Sequence, residues 1–173
     1  VPGFTAAYPS SLIMTVGPGQ VAGVGEIALC TPAGRDGSIH PATLATAGFL
    51  GLKQVFKIGG AQAIAAMAFG TATVPKVDKV FGPGNVFVML AKREVYGHVG
   101  VDGLYGPSEV VIIADETAEP RILAADLLAQ AEHMTDSSAV LVTPARSLVE
   151  PVQNELEKQV RLLRRKAIAW EAL

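Results

Sequence analysis

Five short runs rich in β-branched and aromatic residues recur along this chain at similar intervals, over residues 26–31, 54–58, 79–81, 109–114 and 139–143. Each is followed by helix-like sequence, over 41–52, 60–69, 85–95 and 120–133, with a last helical stretch over 148–170. Strands that alternate with helices are joined by right-handed crossovers, so the pattern predicts an α/β fold: an open, mostly parallel, Rossmann-like sheet with helices on both faces. Half of the 173 residues are hydrophobic and only 17% are charged, which suits strands buried on both faces. The length predicts one domain over residues 1–173, large enough to bury a core. Before the first strand, residues 9–22 read as one helix or two, because Pro18 interrupts them.

Charge and cysteine content exclude several classes. A net charge of -2 argues against a nucleic-acid partner, and the one basic cluster, 161–166, is broken by Leu162 and Leu163 and reads as a solvated helix face. A single cysteine rules out an internal disulfide and fits a reducing, cytoplasmic setting. Cys30 lies in the apolar run Ile27-Ala28-Leu29-Cys30 and reads as a small buried hydrophobe, not a nucleophile. The uncharged stretches 1–25 and 58–75 carry too much Gly, Pro, Ala and Thr for membrane spans, and no basic flank marks a signal peptide. The first residue is not methionine, which is consistent with an excised piece of a longer protein.

Polar clusters are threaded through this background at the ends of predicted strands. The dinucleotide fingerprint G-x-G-x-x-G is absent, and the first strand runs instead into Thr31-Pro32-Ala33-Gly34-Arg35-Asp36-Gly37. Two later strands end in Gly59-Gly60-Ala61-Gln62 and Gly82-Pro83-Gly84-Asn85. Both place glycines at a strand's carboxyl edge and an amide at a helix's first turn, where N–H groups and the helix dipole favour a phosphate or other polar group. A glycine turn followed by a capping Asn or Gln accounts for either one equally well. The echo between Val16-Gly17-Pro18-Gly19-Gln20-Val21 and Phe81-Gly82-Pro83-Gly84-Asn85-Val86 is too short to make a repeat. The glycine-rich segment 97–106, with Asp102 and Tyr105, is expected to skirt a ligand cleft and not the core.

Gly106-Pro107-Ser108-Glu109 leads into the fourth strand. No histidine lies near Ser108 in sequence, so a hydrogen-bonding role is preferred to a nucleophilic one, and Glu109 is either a buried acid or a strand-edge charge. In the helix over 120–133, which Pro120 suits as a first residue, Asp126, Gln130 and His133 fall at i, i+4 and i+7 on one stripe. Gln130 and His133 are then one turn apart and able to meet one metal ion. Histidine is a common zinc ligand and a glutamine oxygen a poor one, so the pair also reads as a wet helix face.

Taken in order, Val1-Pro2-Gly3, Ala7-Tyr8-Pro9-Ser10-Ser11, Gly59-Gly60-Ala61-Gln62-Ala63-Ile64-Ala65, Val74-Pro75-Lys76-Val77-Asp78-Lys79, Gly82-Pro83-Gly84-Asn85, Gly106-Pro107-Ser108-Glu109, Ala114-Asp115-Glu116-Thr117-Ala118 and the run from Ala124 to His133 resemble the histidinol dehydrogenase family over nearly the whole chain. The resemblance implies an NAD- and zinc-dependent alcohol dehydrogenase of histidine biosynthesis. Such an enzyme oxidises L-histidinol through an aldehyde to L-histidine, with two NAD molecules in turn, a zinc ion that anchors the substrate, and a homodimeric assembly. It implies that Gln62 and Asn85 contact NAD, that Ser108 contacts the amino-alcohol substrate, and that Gln130 and His133 ligate zinc and border the substrate.

By the same resemblance, no catalytic acid or base falls within this chain. The family's Glu-His pair and remaining metal ligands lie further toward the C-terminus, one of them from the partner subunit, and an NAD-contacting tyrosine lies just before Val1. The isolated chain is therefore expected to be inactive. His40 and His98 fall at non-matching positions, and Phe4, Gly103 and Met134 depart from the family pattern beside the clusters. Those departures keep open a family member acting on a different small alcohol; a non-catalytic binding or assembly module is the reading from another class.

Overall fold

A computed structural model describes residues 1, 7–106 and 108–173. The chain divides into two compact units, Val1–Gly106 and Pro107–Leu173, and each is taken by itself.

The first unit runs α1 (Pro9–Val21), β1 (Ala28–Cys30), α2 (Pro41–Phe49), β2 (Gln54–Phe56), α3 (Gly60–Phe69), β3 (Lys79–Val80), α4 (Val86–Glu94) and β4 (Gly100–Val101). Pro18 sits inside α1 without ending it. The sequence echo consequently has no structural meaning, because one copy lies within that helix and the other spans a strand end and a helix start. β1 pairs with β2 in parallel, Leu29 opposite Val55, and β3 pairs with β4 in parallel, Val80 opposite Val101.

Alanine-rich α3 packs on both sides. Ala63 and Ala66 join Cys30 and Val74 in one cluster, while Ile64 and Ala68 join Val80, Val95 and Val99 in another. Small side chains let the helix approach closely on each flank. Cys30 is buried as expected, and burial pushes its thiol above the ordinary value, which keeps it protonated. The segment 97–106 corrects its sequence reading: Gly100 and Val101 form β4, and Val99 is buried in the core. Its glycines masked a strand only two residues long, whose Val101 packs partly buried beside the buried Val99.

The second unit runs β5 (Glu109–Ile113), α5 (Pro120–Ala131), β6 (Ser138–Val142), a 3-10 turn (Arg146–Leu148), α6 (Val149–Val160) and α7 (Lys166–Ala172). β5 and β6 pair in parallel over five residues, from Glu109 opposite Ser138 to Ile113 opposite Val142. Ile112, Ala139 and Leu141 pack against Leu123 and Leu127 of α5 and Val152 of α6, while Val111, Ile113, Val140 and Val142 are exposed. Pro120 takes the first turn of α5. The Asp115 turn before it is closed by Asp115 Oδ1, which accepts from the Thr117 amide at 3.0 Å and hydroxyl at 2.6 Å. The closing stretch is two helices rather than one. The basic residues at the break include Arg165, whose guanidinium donates to the His133 carbonyl at 2.9 Å.

The α/β class and the parallel pairing of neighbouring strands are as the alternation predicted. No helix among the described residues is long and apolar enough to cross a membrane.

Candidate functional site

Gln62 and Asn85 belong to the first unit, each in the opening turn of a helix that follows a strand's carboxyl end. Gly59 is the N-cap of α3, packed so closely on Pro32 that a Cβ would come within 2.9 Å of it. Gln62 is the third residue of that helix and is exposed. Asn85 is the N-cap of α4: its Oδ1 accepts from the Val88 N–H at 3.2 Å, and the residue stays exposed. The capping role foreseen for this asparagine is thus present, and it leaves the side-chain amide N–H groups to other partners. Gly84 has no alternative residue in this arrangement, since a Cβ there would lie 2.5 Å from Val88.

Behind the Gly82-Pro83-Gly84-Asn85 loop lies an ion pair that sequence reasoning missed. Lys92 of α4 is 2% exposed, and its Nζ donates to Asp102 Oδ1 at 2.6 Å and to the Gly82 carbonyl at 2.5 Å. Asp102 Oδ2 accepts from the Gly82 N–H at 2.9 Å, and its Oδ1 also accepts from the Gly103 N–H at 2.9 Å. Burial works to raise the Asp102 carboxyl, but the Gly82 hydrogen bond and the Lys92 bond and charge outweigh it, so the group sits below its ordinary value. The available signal was spacing: Lys92 follows Asn85 by seven residues, two turns along the same helix face.

In the second unit the structure brings Ser108 and Gln130 together. Gln130 Nε2 donates to the Ser108 carbonyl at 2.6 Å and to the Ser108 Oγ at 2.9 Å. A carbonyl can only accept, so this contact fixes the amide's orientation and turns Oε1 away as the atom a metal would use. Gln130 is buried and Asp126 exposed, so the expected stripe does not form one wet face. α5 ends at Ala131, and His133 lies in the turn beyond, its N–H donating to the Gln130 carbonyl at 3.1 Å. His133 is exposed, with Nδ1 2.8 Å from the Ala129 carbonyl. That bond requires the proton on Nδ1 and leaves the Nε2 lone pair for a cation, the usual outer-sphere support of a ligating histidine.

Gln130 and His133 therefore fit as two donors of a metal site. Among the described residues no group of three His, Cys, Asp or Glu side chains could hold a metal ion. Glu109 is exposed at the start of β5, which settles it as a strand-edge charge. Of the departures from the family pattern, Phe4 lies outside the described residues, Met134 is exposed, and Gly103 lies under Tyr105, whose ring a Cβ would meet at 2.5 Å. Two surface depressions lie away from these clusters, on the amino-terminal side of the strands. One is lined by 76–79 and 96–101, the other by 53–56 with Thr71, Ala72, Thr73 and Pro75.

Parallel strands alternating with helices, in each unit with polar residues near a strand end, define an α/β protein. A family model described as histidinol dehydrogenase matches residues 1–173, and the chain belongs to that family. It is 56% identical over 173 residues to histidinol dehydrogenase of Geobacillus kaustophilus (strain HTA426), covering 100% of this chain and 41% of the relative. It is also 56% identical over 169 residues to that of Bacillus subtilis (strain 168), covering 98% and 40%. The crystal structure of histidinol dehydrogenase from Elizabethkingia anophelis superposes with a TM-score of 0.93 at 46% identity, covering 99% of this chain and 40% of that one. The chain thus spans about two-fifths of the length of these relatives.

Proposed function

We propose that this chain is the NAD-contacting, zinc-contributing part of an NAD- and zinc-dependent histidinol dehydrogenase that converts L-histidinol to L-histidine through the aldehyde. Relatives named histidinol dehydrogenase at 56% identity support the reaction. The observation that carries the site is the Gln130–Ser108 contact, which joins a proposed substrate-binding side chain to a proposed zinc ligand. Gln62 and Asn85 bind NAD; Ser108, Gln130 and His133 border the substrate; Gln130 and His133 hold zinc. Zinc, when bound, anchors the imidazole and amine of the substrate. The chain's own residues orient and bind: Ser108 keeps the Gln130 amide turned, and Ala129 holds the His133 ring in the tautomer that presents Nε2. Hydride acceptance belongs to the cofactor. The enzyme is read as cytoplasmic and homodimeric, with the whole chain one domain of the longer protein and no nucleic-acid or membrane partner.

A family member acting on another small alcohol is the second reading, because Gly103 stands where the family commonly has a methionine. The longer enzyme, assayed for NADH formation with L-histidinol against a panel of small polyols and sulfonated alcohols, separates the two. Turnover confined to L-histidinol supports the first reading; turnover confined to another alcohol replaces it. The isolated chain is expected to form no NADH, since the resemblance places the Glu-His pair that handles the alcohol proton in the longer enzyme. In the longer enzyme, His133→Ala is expected to lose zinc and activity, and Asn85→Ala to weaken NAD with metal content intact. A His133→Ala enzyme that keeps both its zinc and its rate removes the metal role.

A further inference from the structure

The buried pair Lys92–Asp102 has no part in the roles above, yet it encloses one residue of the Gly82-Pro83-Gly84-Asn85 loop completely. The Gly82 carbonyl accepts from Lys92, and the Gly82 N–H donates to Asp102, so both of its backbone polar groups end on one ion pair. Gly82 has a φ of +126°, a conformation L side chains rarely adopt, at the point where β3 stops and the chain turns toward α4. A buried ammonium is an expensive way to fill space, and apolar residues of the same volume stabilise a core as well or better. What the pair supplies that an apolar pair could not is a fixed direction for this turn, because it tethers the loop to α4 and to the segment after β4 at once.

We infer that Lys92 and Asp102 are positioning residues for dinucleotide binding: they hold the Gly82 turn so that the first N–H groups of α4 and the Asn85 side chain are aimed at the pyrophosphate end of NAD. The inference rests on the proposed NAD role of Asn85. Neither residue touches the ligand. Their effect passes through Gly82 and the close packing of Gly84 on Val88.

The test is NAD titration by calorimetry on the longer enzyme, with a melting curve for each variant. Lys92→Met combined with Asp102→Leu removes both charges and keeps volume but takes away the partners of the Gly82 N–H and carbonyl and of the Gly103 N–H, so the melting temperature is expected to fall somewhat, and NAD affinity, read below the variant's melting temperature, to fall about tenfold or more. Asp102→Asn, which retains an acceptor for Lys92 but loses one for the backbone, gives a smaller loss and decides the matter should the double variant not fold. Asn85→Ala reports on the underlying reading. If Asn85→Ala weakens NAD while the charge-free double variant or Asp102→Asn binds like the unsubstituted enzyme, the positioning role is overturned and the reading of Asn85 stands. If Asn85→Ala binds NAD normally, or the unsubstituted enzyme shows no saturable NAD binding, the reading of the loop falls and this inference with it.

Discussion

Lys92 and Asp102 set the sharpest expectations for single side chains. Lys92→Met leaves the Asp102 carboxylate without its cation behind the loop, and breaking a buried pair from one side costs about 3–5 kcal/mol; the lower end applies because Asp102 keeps 17% of its side chain exposed. Urea denaturation monitored by circular dichroism measures it. Asp102 also gives a pH dependence of definite sign. Its carboxyl is lowered in the folded chain, so its stabilisation is complete above the unfolded value of about 3.9 and fades as pH falls through the lowered folded value. The midpoint in urea is expected to fall with acidification over that window, and Asp102→Asn to flatten this part of the curve; an equally steep curve in the variant places the titration elsewhere. His133 behaves differently. Its ring is exposed and bonded only to the helix end, so His133→Ala should shift chain stability by no more than about 0.5 kcal/mol.

At the scale of elements, α4 begins at Asn85, whose observed cap and proposed NAD contact a pair of variants can separate. Asn85→Ala removes the cap on Val88 and is expected to cost about 1 kcal/mol, whereas Asn85→Asp keeps an acceptor for that N–H and should leave stability unchanged. If Asn85 also meets NAD, the aspartate puts a negative charge beside the phosphates, so NAD affinity drops in both variants while stability drops only in the alanine. Gly84→Ala places a Cβ 2.5 Å from the Val88 Cβ in the first turn of the same helix and should destabilise by about 1–3 kcal/mol, a loss that Val88→Ala, which keeps that Cβ, does not remove. α5 is held differently: its buried Gln130 reaches back to the segment entering β5 and ties the helix end to the strand start through two hydrogen bonds.

For the whole molecule, the separate cores bear on how the chain melts. α1 to β4 enclose their own clusters and β5 to α7 theirs. The single-domain reading predicts one cooperative transition by calorimetry, with calorimetric and van't Hoff enthalpies equal; two resolved transitions divided near residue 107 would make the two units separate domains. The four β-branched side chains Val111, Ile113, Val140 and Val142 form an exposed apolar face on β5 and β6, paired across the strands at Val111–Val140 and Ile113–Val142. Replacing Val140 and Ile113 by threonine should therefore raise solubility with little loss of helix content.

The alternation of β-branched runs with helical stretches determined the α/β class and the parallel pairing, because period and length are local properties. Sequence offered capping as one of two readings of Asn85 and burial as the reading of Cys30, since a cap needs only its own helix and an apolar run declares its own burial. Spacing offered Gln130 and His133 as neighbours, but the helix end at Ala131, the exposure of Asp126 and the turning of Gln130 onto Ser108 are results of packing. β4 was hidden for the same reason: two residues carry no period, and Gly100–Val101 became a strand only because β3 lay alongside to pair with it. Lys92 shows the limit most clearly. A lysine among Met, Leu, Ala and Arg reads as a solvated charge on an amphipathic helix, and only the return of Asp102 to its side, ten residues on and after another strand, provides the anion and the backbone partners that let an ammonium be buried.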